Sequence, residues 1–137
     1  MEATDVQPGF DADDWTQGAD GLFAAIRSLE EVAKPLVVYF YTDWCGYCRQ
    51  FERELLGTLE VKSYLGEVLA VRINPESGPK EKEIASYYGV EGYPAFFVHG
   101  ASSKTLARVE RMTVEGGEPR LLTPPAFVDT MRQAAAQ

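Results

Sequence analysis

Two residues of this chain carry obvious covalent chemistry: Cys45 and Cys48, its only cysteines, set three apart in Trp44-Cys45-Gly46-Tyr47-Cys48. Thiols at this spacing close a reversible disulfide within one helical turn, provided that a helix begins at the first of them. The first turn of a helix leaves free N–H groups and positive dipole character, which favour a thiolate over a thiol. Cys45 is therefore the expected nucleophile. Cys48, further along the helix and deeper in the core, is expected to resolve a mixed disulfide. Other uses of the spacing fit less well. A structural zinc site usually takes four Cys or His ligands, and the chain offers only these two and the distant His99; covalent haem attachment wants His where Arg49 stands. Two-coordinate capture of a soft metal and a redox-inert thiol pair remain open alternatives, while His99, near a strand end, reads as structural or solvent-facing.

The elements that would position this pair follow from apolar patterning. Residues 36–41, Leu-Val-Val-Tyr-Phe-Tyr, are apolar without alternation, as in a central strand covered on both faces. A helix is expected to start near Cys45, with Cys48, Phe51, Leu55 and Leu59 inward and Arg49, Glu52, Arg53 and Glu54 on a mostly solvated side. Upstream, Leu22, Ile26, Leu29 and Ala33 recur at helical spacing from Gly21 until Pro35 stops the run. Downstream come a buried strand at 68–73, a helix at 79–88 closed by Gly89, a strand at 95–99, a turn around Gly100-Ala101-Ser102-Ser103 and a strand-like run at 105–114. Gly116 and Gly117 break that run, and Thr123-Pro124 starts a last helix with Phe127, Val128 and Met131. The β-α-β order implies a parallel pair, hence an α/β domain with a mixed central sheet flanked by helices.

The whole chain has 137 residues, with 13 Lys and Arg against 21 Asp and Glu for a formal charge of −8. That length suits one domain. The division read from it is an acidic N-terminal lead-in over residues 1–17, expected as a partly ordered tail on which Phe10 and Trp15 can dock, and a domain over 18–137. Net negative charge argues against nucleic acid. No apolar run approaches the roughly 20 residues of a membrane-spanning helix, and the first 25 residues carry no secretory signal pattern.

Two separated motifs, Trp44-Cys45-Gly46-Tyr47-Cys48 after the apolar strand and Gly89-Val90-Glu91-Gly92-Tyr93-Pro94 before the hairpin, resemble the thioredoxin superfamily over about residues 22–132. Trp15, Lys34-Pro35 and Asp43-Trp44 look more like the branch that includes bacterial periplasmic thiol reductase domains than like cytosolic thioredoxin. The resemblance implies a thioredoxin fold, a cis bond before Pro94, a Tyr93 main chain that pairs with an extended substrate segment, and Trp44 as an apolar wall. Gly46 and Tyr47, between the cysteines, also face substrate and match the dipeptide of a periplasmic disulfide isomerase of the superfamily. The family's buried proton-accepting aspartate falls at Tyr39, which lacks a carboxylate; Asp43 or Glu52 stands as a substitute, each also readable as a solvated carboxylate. Arg72 occupies what looks like the family's buried lysine position, so it and Asp43 are the expected modulating residues, Arg72 also being readable as a surface arginine at a strand end.

The function this implies is a monomeric thiol–disulfide oxidoreductase that reduces disulfides in protein or peptide substrates and is recharged by an upstream thiol reductant. No metal or separate cofactor is expected beyond the Cys45–Cys48 disulfide. Disulfide isomerase or oxidase activity, and a redox-inactive peptide-binding or chaperone module, are the alternatives. A periplasmic or otherwise exported location follows from the branch, with the cytoplasm equally compatible with two motif cysteines.

Overall fold

The computed structural model describes residues 8–101 and 105–136. Its framework is a five-stranded sheet in the order β1-β3-β2-β4-β5, formed by β1 (Thr16–Gln17), β2 (Leu36–Phe40), β3 (Leu69–Ile73), β4 (Ala95–His99) and β5 (Leu106–Arg108). The central strand β2 runs parallel to β3, with Leu36 opposite Leu69, and antiparallel to β4, with Leu36 opposite His99. All five of its residues are buried. The two-residue period of a strand divides them: Val37 and Tyr39 enter one apolar cluster, and Leu36, Val38 and Phe40 enter the other. An uninterrupted apolar run is therefore what a strand sandwiched between two layers of helix requires.

On the Val37–Tyr39 side pack α2 (Gly46–Phe51), α3 (Leu59–Leu65) and α5 (Pro124–Ala135), through Phe51, Val61, Phe127 and Met131. On the other side lie α1 (Gly18–Val32) and α4 (Pro79–Tyr88), through Leu22, Ile84 and Ala85. Helix ends carry the expected chemistry. Gly89 closes α4 at φ +73°, and the Thr123 hydroxyl accepts the Ala126 N–H at the start of α5.

Several elements differ from the expectation. The helix after Cys45 does not continue evenly to Leu59: α2 passes into a π-helical turn over Glu52–Leu56, Gly57 ends it, and α3 begins separately behind the Thr58 cap. Leu59 is consequently exposed rather than inward. Gly57 does more than weaken a helix end, because Gly9 N donates to its carbonyl at 2.8 Å and a Cβ there would meet Phe10 N at 2.5 Å. The lead-in thus packs along this turn, Trp15 is buried against Tyr39 and Phe96, and β1 pairs in parallel with β3. Phe10 and Trp15 pack this acidic segment onto the body, and Lys62 adds an ion pair to Asp14 and a hydrogen bond to the Gly9 carbonyl. Gly116 and Gly117, both at positive φ, are the tip of a further hairpin between β6 (Met112–Glu115) and β7 (Glu118–Leu121). The pair reverses the chain between two strands rather than ending one, as glycines in this conformation do. Ser102 and Ser103 of the expected turn, and residues 1–7 of the lead-in, lie outside the described residues.

Candidate active site

The disulfide Cys45–Cys48 sits where β2 hands over to α2, with 5.2 Å between the two Cα atoms. Cys45 is the N-cap of α2. Its Sγ accepts the Cys48 backbone N–H at 3.0 Å, the place that a serine or aspartate oxygen takes in an ordinary cap. A negative sulfur at this point would keep that hydrogen bond and face the positive end of the helix. Cys45 N in turn donates to the carbonyl of buried Thr42 at 3.4 Å. Cys48 is fully enclosed, whereas Cys45 retains 4 % exposure, so Cys45 is the sulfur nearer to solvent.

Around this small opening stand large exposed aromatic faces, Trp44 at 68 % and Tyr47 at 67 %. The Trp44 indole N–H donates to both carboxylate oxygens of Glu76 at 3.0 Å, and its ring meets Tyr93 edge to face at 6.1 Å. Burial and then the Glu76 charge push the Tyr93 phenol above its ordinary range. Pro75, Glu76, Gly78, Pro79, Lys82 and Tyr93 line an open hollow of about 420 Å³ on this flank. The Tyr93–Pro94 peptide is cis. Pro94 adjoins Phe51, Val109 and Arg111 on the opposite flank, where the Arg111 guanidinium lies 5.8 Å from the Tyr47 ring centre. Gly46 is exposed, with open space where a Cβ would stand.

Beneath the motif lies a polar cluster that the sequence expectation put largely at the surface. Glu52, four residues beyond Cys48, is buried and accepts hydrogen bonds from Tyr39 Oη at 2.7 Å and Arg49 at 3.1 Å. Arg72 completes the group at 3.6 Å from the same carboxylate oxygen, with its guanidinium stacked 3.7 Å over Tyr41. Glu52 is therefore no solvated helix residue: the step from Cys48 to Glu52 is one helical turn, which puts both on the inward face. Arg72 is likewise not a surface arginine at a strand end but a buried partner of Glu52. Burial, followed by the hydrogen bond to Glu52, drives the Tyr39 phenol far above its ordinary range, so Tyr39 is a fixed neutral donor. Asp43 is exposed and stands apart from this cluster. Glu76 and Arg111 escaped the sequence reading because each lies far along the chain from the cysteines. Glu52 could have been found from its position on the stripe that begins at Cys48.

His99 lies at the other end of the sheet, paired with Leu36 where β2 begins, and it shares a 2.7 Å hydrogen bond with Tyr88 Oη. Among the described residues no group of three or more His, Cys, Asp or Glu side chains is placed to hold a metal ion. No helix among them is long and apolar enough to cross a membrane.

The family described as Thioredoxin-like domain matches residues 22–111. Thiol:disulfide interchange protein DsbD 1 of Pseudomonas aeruginosa is 31% identical over 91 residues, covering 64% of this chain and 15% of that protein. Protein disulfide isomerase-like 5-3 of Oryza sativa subsp. japonica is 35% identical over 114 residues, 80% of this chain and 25% of that protein. The chain thus spans a quarter or less of the length of these relatives. Among solved structures, a DsbH oxidoreductase superposes with a TM-score of 0.68 at 21% identity, over 99% of this chain and 91% of that one. The oxidised C-terminal domain of Neisseria meningitidis DsbD does so with 0.61 at 21%, over 87% and 98%. With the family match over residues 22–111, the shared fold and a disulfide across its Cys-X-X-Cys motif, the chain belongs to the thioredoxin-like domain family.

Proposed function

We propose that the protein reduces disulfides in protein or peptide substrates, with Cys45 as nucleophile and Cys48 as resolving thiol. The observation that carries this reading is the placement of Cys45 Sγ at the head of α2, less enclosed than Cys48 and hydrogen-bonded by its N–H. In the reduced protein the Cys45 thiolate attacks one sulfur of a substrate disulfide; a mixed disulfide forms and the other substrate sulfur leaves as a thiolate. Cys48 loses its proton and attacks Cys45 Sγ, which releases the second substrate thiolate and leaves the Cys45–Cys48 disulfide. Two electrons have passed to the substrate. An upstream thiol reductant returns them. Trp44 and Tyr93 form the wall against which an extended substrate segment lies, with Pro94 and the Tyr93 main chain beside the sulfurs.

Reduction is favoured over oxidation by the electrostatics of the pair. A strong oxidant owes its potential to a stabilised reduced form, usually through cations or histidine beside the thiolate. Here the only histidine lies at the far end of the sheet, and Arg49 and Arg72 are both engaged by Glu52. The protein acts as a monomer in an exported compartment such as the periplasm; size-exclusion chromatography and cell fractionation check these two points.

Insulin reduction tests the central activity. With dithiothreitol as donor, the wild type is expected to accelerate precipitation of the insulin chains, and Cys45→Ser to fall to the uncatalysed rate. If both are inert while both suppress aggregation of an unfolded client, the chain is a peptide-binding module instead.

A further inference from the structure

Two charged side chains stand beside the aromatic residues of the motif, Glu76 by Trp44 and Arg111 by Tyr47, and of the two side chains only that of Glu76 has a hydrogen-bond partner among the described residues. On the Trp44 flank, both oxygens of Glu76 accept the indole N–H. On the Tyr47 flank stands Arg111, at the root of the β6–β7 hairpin and at the last residue of the 22–111 family match. Its backbone is held firmly: Val109 N donates to Phe96 O at 2.8 Å on one side, and Leu122 N donates to the carbonyl of Arg111 itself at 2.8 Å on the other. The side chain leans toward Tyr47 and joins Pro94 in lining a small recess beside the motif. Among the described residues no carboxylate pairs with it. The adjacent Glu110 is taken by Arg108 at 3.0 Å, and the Arg111 Nε–H is enclosed without an acceptor. A guanidinium is a planar fork of N–H donors that fits a carboxylate with two parallel hydrogen bonds, so a guanidinium with no carboxylate partner beside the Tyr47 ring, rather than at the sulfurs themselves, is a recognition element awaiting its anion.

We propose that Arg111 is a specificity-determining residue that reads a carboxylate next to the substrate cysteine, so that the protein prefers disulfides flanked by Asp or Glu. This rests on the reading of the chain as a reductase of protein disulfides. A substrate segment that lies along Trp44, Tyr93 and Pro94 has Arg111 on its Tyr47 side, where an acidic side chain is drawn in and a basic one repelled. The overall charge of −8 repels acidic partners at long range. At physiological ionic strength that repulsion is screened beyond about 8 Å, whereas a direct contact with Arg111 acts within hydrogen-bond distance.

The test uses three disulfide peptides that differ only in one residue beside the cysteine: Glu, Gln or Lys. Their kcat/KM values are compared at about 0.15 M ionic strength. Wild type is expected to favour Glu over Gln by about fivefold, the upper range for an exposed ion pair, with Lys slowest. In Arg111→Gln, shown to be folded by circular dichroism, the Glu-to-Gln ratio should fall to about one. Arg111→Lys, which keeps the charge and loses the fork, should give an intermediate ratio and serves if the first variant does not fold. A wild-type ratio of about one, or a ratio unchanged in either variant, overturns the proposal. If the wild type exchanges with none of the peptides, the reductase reading fails by itself. Binding of the corresponding serine peptides, followed by Trp44 fluorescence, then decides on Arg111 by the same ratios.

Discussion

Glu52, one helical turn from Cys48, gathers the charged side chains of Arg49 and Arg72. It holds Tyr39, Arg49 and Arg72 in one buried group, and both guanidiniums spend their charge on it. Replacing it by Gln removes a negative charge and leaves two cations one helical turn from Cys48. Cationic surroundings favour thiolates and hence the reduced pair. Glu52→Gln is therefore expected to make the potential less negative by about 30 mV, the equivalent of roughly 1.4 kcal/mol, measured by equilibration with glutathione. An unchanged or more negative value would show that the cluster does not reach the sulfurs. His99 offers an independent check at the same scale. Burial lowers its protonation range below the ordinary 6.5, so the unfolded chain binds the proton more readily than the folded one. The stability it contributes is present above pH 6.5 and is lost as pH falls from there through its folded range. Wild type should lose more Tm between pH 7 and pH 5 than His99→Gln; parallel losses would contradict this. The cysteines, Trp44, Tyr93 and Pro94 were legible in the sequence because their chemistry is local to two short motifs. Partnership between Glu76 and Trp44, 32 residues apart, was not.

Elements were legible where one physical signal dominated. The strand at 95–99 and the helix at 79–88 appear with the expected bounds, the first from an unbroken apolar run and the second from a proline start and a glycine end. The segment after Cys48 was misread because a regular 3.6-residue period was extended through a π-helical turn, which adds a residue to the turn and resets the stripe before α3. Strand β1 has only two residues, too short for any alternation, and owes its place to pairing with Val71 and Arg72. Gly57 marks where the lead-in crosses the end of the π turn. Since Phe10 N and Gly9 C would both lie within 3 Å of an added Cβ, Gly57→Ala must displace backbone rather than a flexible side chain. Urea unfolding should show a loss of about 1–3 kcal/mol, as overpacking typically gives. A change below a few tenths would mean that the lead-in is not seated there.

At the scale of the whole molecule, a sheet covered on both faces leaves its loops at one end to carry the chemistry. The C-terminal end of β2 delivers Cys45, the end of β3 leads to Glu76, and the start of β4 follows Pro94, so three connections meet around one pair of sulfurs. Below them the two apolar clusters fix the strands, and the only histidine sits at the other end of the sheet. This arrangement supplies Cys45 Sγ with one backbone N–H and commits the neighbouring Arg49 and Arg72 to Glu52. On the proposed function the pair donates electrons to substrate disulfides. The reduction potential of the Cys45–Cys48 pair, measured by equilibrium with reduced and oxidised glutathione, tests this most directly. The predicted value lies toward that of thioredoxin, about −270 mV. A value near about −120 mV, that of a strong periplasmic oxidant, would contradict it.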